Sequence, residues 1–118
     1  MAYNVWLDSD DPEVARAIAR AIGESSGGLP GVQAMGVRLP SSGSVQVSMN
    51  LLDYRQTPIP QVFDRVQAEA ARLGVKLLRG ELVGLAPREA FAGRSPESVG
   101  LPDFAPEKLL ETHLPSTD

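Results

Sequence analysis

The chain has 118 residues, 42% of them hydrophobic and 22% charged, which is the size and make-up of one folded domain around a single core. Its 11 basic and 15 acidic side chains give a pI near 4.9, without the basic stripe that tracking of nucleic-acid phosphates requires. There is no cysteine for disulfide or thiolate chemistry, no apolar run long enough for a bilayer and no leader-like start, so a cytoplasmic protein with neither nucleic-acid nor membrane partners is expected.

Tyr3-Asn4-Val5-Trp6-Leu7 alternates and predicts a first strand, with Tyr3, Val5 and Leu7 on one face and Asn4 and Trp6 on the other. Asp10-Asp11-Pro12-Glu13 carries the acidic cap and first-turn proline of a helix start. Val14, Ala17, Ile18, Ala21 and Ile22 then supply the expected buried stripe, with Gly23 as the stop. The glycines of Ser25-Ser26-Gly27-Gly28-Leu29-Pro30-Gly31 serve either a loop that needs positive φ or an anion cradle, the first being the simpler reading.

Val32–Leu39 predicts a second strand and Pro40-Ser41-Ser42-Gly43 a hairpin turn. Gly36, in mid-strand, implies the close approach of another backbone or of a ligand. The third strand, Ser44 to Asp53, is the most regular: Val45, Val47, Met49 and Leu51 face one way, and Ser44, Gln46, Ser48 and Asn50 the other. Thr57 is expected to cap a second helix that tolerates Pro58 and Pro60 in its first turn and buries Ile59, Val62, Phe63, Val66, Ala70 and Leu73. Val75–Leu85 reads as a fourth strand and Pro87–Phe91 as a helical turn. From composition, 92–118 is linker and tail, with a short helix from Pro106 to about Thr112 stapled by Phe104 and Leu109.

The order strand, helix, strand, strand, helix, strand predicts an α+β, ferredoxin-like βαββαβ sandwich over residues 1–91: an antiparallel sheet with two helices on one face and a short C-terminal helix after it. The other face is left bare, with Asn4, Trp6, Gln46, Ser48 and Asn50 among its tenants. Uncharged donors and acceptors there suit either solvent or a ligand. No metal-ligand or nucleophile motif is present, and the one histidine, His113, falls in the tail, so no catalytic or metal-binding residue is expected. The acidic residues Asp8, Asp10 and Asp11 are accounted for by helix capping and the helix dipole.

Three stretches, Ser25–Gly36, Gln46–Tyr54 and Leu82–Pro87, resemble in order and spacing the C-terminal subdomain of the glutamate formimidoyltransferases, and Asp103–Glu111 is similar to that family's end. The resemblance covers nearly the whole chain. It implies part of a transferase of histidine breakdown and one-carbon metabolism that moves a formimino group from N-formiminoglutamate to tetrahydrofolate, with folate as a substrate rather than a resident cofactor. It further implies that two similar subdomains pack sheet to sheet over folate, and that the catalytic histidine belongs to the N-terminal one. On that resemblance the bare face becomes folate-binding, with Asn50, Ser48, Gln46, Asn4 and Gly36 as its candidate residues. Asn50 stands first, because a carboxamide matches the mixed edge of a pterin. Arg79 stands where such relatives tend to have glycine. The chain by itself is expected to be inactive, and its partner is either the N-terminal subdomain or a second copy. The alternative is a stand-alone binding module that dimerises through the open face.

Overall fold

A computed structural model describes residues 1–40 and 43–101. The expected C-terminal helix, its Phe104–Leu109 staple and His113 lie outside the described residues. Four strands, β1 (Ala2–Leu7), β2 (Val32–Arg38), β3 (Val45–Leu51) and β4 (Leu77–Val83), form one antiparallel sheet in the order β2-β3-β1-β4. Helices α1 (Pro12–Ile22) and α2 (Ile59–Arg72) pack on one side of it. This is the ferredoxin-like arrangement expected from the element order. Among the described residues, no helix is long and apolar enough to cross a membrane.

The alternation of β1 and β3 places Tyr3, Val5, Leu7, Val45 and Val47, all fully buried, under the helices. α1 begins where the sequence places it: the Asp11 carboxylate accepts from the Glu13 amide at 3.0 Å and Pro12 takes the first turn. Its buried stripe is rotated from the expected one. Ala15 and Ala19 lie at its centre with Ile18 and Ile22, while Val14, Ala17 and Ala21 form the flanks. The small alanines let α1 come down onto β2.

α2 departs from expectation at both ends. Thr57 does not cap it; Pro58 occupies that position, and the buried Thr57 hydroxyl instead donates to the Pro30 carbonyl at 2.6 Å, tying α2 to the glycine loop. Leu73, expected in the buried stripe, sits past the last helical turn and is exposed. The glycine loop is occupied from within, since Glu24 Oε2 accepts from the Gly31 amide at 3.0 Å, and the cradle reading loses its donor.

Residues 92–101, read from composition as linker, join the core. Val99 in the 3-10 turn Pro96–Val99 is fully buried, and the Gly80 amide donates to the Gly100 carbonyl at 2.7 Å. The Tyr3 hydroxyl reaches up through the core to donate to the Val99 carbonyl at 2.6 Å, so the central strand anchors this segment. Burial holds that phenol well above the usual tyrosine range and therefore protonated.

Candidate functional site

The side of the sheet away from the helices is a grid whose rows follow from strand register. The first row is Gln33, Asn50, Ala2 and Val83; the second is Met35, Ser48, Asn4 and Glu81; the third is Val37, Gln46, Trp6 and Arg79. Four of the five residues expected to bind ligand are together on this face: Asn4, Gln46, Ser48 and Asn50. Gly36 is not among them. It pairs with Val47 on the helix side, where an added Cβ would lie 2.5 Å from the Arg16 nitrogen and 2.6 Å from the Ala15 carbonyl carbon. The close approach that Gly36 permits is that of the α1 backbone, so Gly36 is removed from the ligand face.

The middle of the face is covered yet incompletely hydrogen-bonded. Asn4 and Gln46 are each only 9% exposed. Asn4 Nδ2 donates to Glu81 Oε1 at 3.3 Å, but Asn4 Oδ1, Gln46 Oε1 and Trp6 Nε1 are buried without partners. A buried polar atom left unpaired costs roughly 1–3 kcal/mol, and the large majority of buried side-chain polar atoms in folded proteins are paired. Three on one sheet face, from neighbouring residues of β1 and β3, mark a surface whose hydrogen bonds are completed by something else.

At one end of the face, Ala2, Gln33, Met35, Ser48 and Asn50 line an open depression of about 410 Å³. Asn50 lies on its rim, exposed, with Oδ1 accepting from the Met1 amino group at 3.1 Å. At the other end, the Arg79 guanidinium carbon lies over the Trp6 ring, 4.8 Å from its centroid. Asp53, weighed as a ligand residue or a turn former, is a turn former: its Oδ1 accepts from the Arg55 and Gln56 amides at 3.2 and 3.3 Å.

Sequence reasoning missed Gln33, Met35, Arg79 and Glu81 as members of this face. The first two were legible in the alternation of β2. Arg79 was not, because the β1–β4 register shifts between Trp6 and Leu7: Leu77 pairs with Leu7 on the helix side while Arg79 pairs with Trp6 on the open side. Among the described residues there is no cluster of three or more His, Cys, Asp or Glu that could hold a metal ion. The arrangement is equipped to bind and orient; the face offers neutral amides, one hydroxyl, one indole, one carboxylate and one guanidinium.

The profile of the formiminotransferase domain matches residues 2–95. The chain is 39% identical over 114 residues to the glutamate formimidoyltransferase of Thermoplasma acidophilum, and 36% identical over 115 residues to that of Streptococcus pyogenes serotype M1. Each alignment covers 97% of this chain and 38% of the relative, whose C-terminal part is the part matched. The formimidoyltransferase-cyclodeaminase of Gallus gallus is 36% identical over 97 residues, 77% of this chain and 18% of that protein. The chain thus spans well under half the length of the curated relatives it matches.

Proposed function

The chain belongs to the formiminotransferase family, and we propose that its open sheet face covers folate during formimino transfer from N-formiminoglutamate to tetrahydrofolate. In this reading the face docks on the part of the enzyme that corresponds to the remaining length of the relatives, and folate is held between. The observation that carries it is the set of buried, unpaired atoms on Asn4, Trp6 and Gln46. A docked surface and a pterin, whose edge mixes donors and acceptors, supply the missing partners. Joining two domains typically buries about 600–1,500 Å², enough to cover a four-stranded face.

Asn50 and Ser48 border the depression and contact the pterin, while Asn4 and Gln46 complete their hydrogen bonds at the docked surface. Proton transfer to and from the migrating group comes from the docked part, because acid–base catalysis needs a positioned titratable group and typically contributes ~10²–10⁴-fold.

The test combines this chain with the remaining portion of the Thermoplasma acidophilum enzyme, expressed separately. The pair is expected to bind tetrahydrofolate and turn over formiminoglutamate, and the chain alone to give no turnover. Asn50→Leu is expected to weaken tetrahydrofolate by about 1–3 kcal/mol, through ligand groups left unpaired, with little change in melting temperature. Turnover by the chain alone, or unchanged affinity in Asn50→Leu, would remove the corresponding part of the proposal.

A further inference from the structure

The third row of the open face has no role in holding a pterin at the Asn50 end. Ala2 and Trp6 are four residues apart on β1, which at about 3.3 Å per residue puts the Arg79–Trp6 pair roughly 13 Å from the Ala2–Asn50 row at the far end of the depression. Three observations mark this pair. Arg79 is exposed and makes no ion pair among the described residues; Glu81, its neighbour on the same face, is engaged by Asn4 instead. The guanidinium carbon lies over the indole ring, 4.8 Å from its centroid, a cation–π contact that holds the charge at this place on the face. Finally, Trp6 Nε1, which can only donate, is buried beside it without an acceptor.

We infer that Arg79 and Trp6 form a carboxylate-binding subsite at the end of the sheet opposite Asn50. The contact with Trp6 localises the guanidinium, whose planar fork of N–H donors matches a carboxylate. A cation set on the face of a chain with net charge −4 is also the feature that selects an anionic group there against the repulsion of the whole. The inference deepens the proposed function, on which its choice of ligand rests. A pterin at Asn50 directs the glutamyl end of folate along β1 toward Arg79, and the carboxylates of a glutamate-derived substrate are the other source of the same chemistry.

Trp6 is the sole tryptophan, so its indole N–H gives one resonance that reports on this subsite directly. The test follows that resonance and the Asn50 side-chain amide in the isotope-labelled chain, titrated separately with glutarate, L-glutamate, tetrahydrofolate and the carboxylate-free 6-methyltetrahydropterin at constant ionic strength. Glutarate is expected to shift the indole resonance saturably, and Arg79→Gln to weaken that binding at least tenfold with the remaining backbone spectrum unchanged. Tetrahydrofolate moving both resonances while 6-methyltetrahydropterin moves only Asn50 assigns the subsite to the folate tail. L-glutamate moving the indole while tetrahydrofolate moves neither keeps the subsite and sinks the folate reading. An indole resonance indifferent to glutarate, or one shifted equally in Arg79→Gln, overturns the subsite, even where tetrahydrofolate still moves Asn50.

Discussion

Both faces of the sheet carry buried polar atoms, and they differ in whether those atoms are paired. On the helix side the Tyr3 hydroxyl is enclosed by core and finds the Val99 carbonyl at 2.6 Å. On the open side, one residue along the same strand, Asn4 is nearly as well covered and its Oδ1 finds nothing; two further along, Trp6 Nε1 is in the same state. The helix face is complete within this chain. The open face is built to be completed from outside. Burial by itself does not separate a core from a binding surface, whereas the hydrogen-bond account does.

The largest effect is expected from Gly36, where the helix face is tightest. Gly36→Ala places a Cβ 2.5 Å from α1 backbone that cannot swing aside, and overpacking of this kind costs roughly 1–3 kcal/mol. Urea denaturation should show a lower midpoint at unchanged slope. An unaltered midpoint accompanied by lost folate affinity would return Gly36 to the ligand side.

Next is Tyr3→Phe, which leaves the Val99 carbonyl without its donor and should cost about 1 kcal/mol. Amide exchange should quicken first at Gly80, whose N–H is bonded to the Gly100 carbonyl next to Val99. Uniform acceleration across all four strands would mean that residues 92–101 are not separately anchored.

The open face should respond with the opposite sign. Asn4→Leu with Gln46→Leu removes two buried unpaired oxygens along with the long Asn4–Glu81 hydrogen bond, and should leave the stability of the chain within about 0.5 kcal/mol or raise it, since relief of the unpaired oxygens offsets the lost bond. Association with the rest of the enzyme should weaken at least tenfold. A clear loss of stability, with association intact, would make the two faces alike.

The smallest effect lies away from both faces. On α2, the Arg72 hydrogen bond, followed by the charges and hydrogen bond of Arg72 and Arg65, holds the Glu69 carboxyl below its usual range. A carboxyl whose folded value is depressed adds stability that is present above its unfolded value and lost as pH falls through the folded one. Glu69→Gln should therefore flatten the acid limb of the pH–stability curve slightly, and a flattening at neutral pH instead would assign it to another group. Solvent screening keeps the size small.

Much of this was legible in residue order. The period-two pattern of Val45–Leu51 assigned Gln46, Ser48 and Asn50 to one face, and the cap signature Asp11-Pro12 started α1 where it starts, because both depend on neighbours a few residues apart. Thr57 has the right type for a cap and was misread, since its hydroxyl is taken by Pro30, 27 residues away in sequence. Val99 in a Pro- and Gly-containing stretch reads as loop until Tyr3 reaches it.

The sequence by itself determined which elements form, in which order, and which side chains of each strand share a side. Those follow from local sterics and from periodicity, which are written in consecutive residues. Only the tertiary structure decided which side of Gly36 is crowded, that the register shift carries Arg79 over Trp6, and that Asn4, Gln46 and Trp6 are covered without partners. Each of those depends on where a second strand or helix lies, and a one-residue shift between strands exchanges one face for the other while leaving every local pattern unchanged.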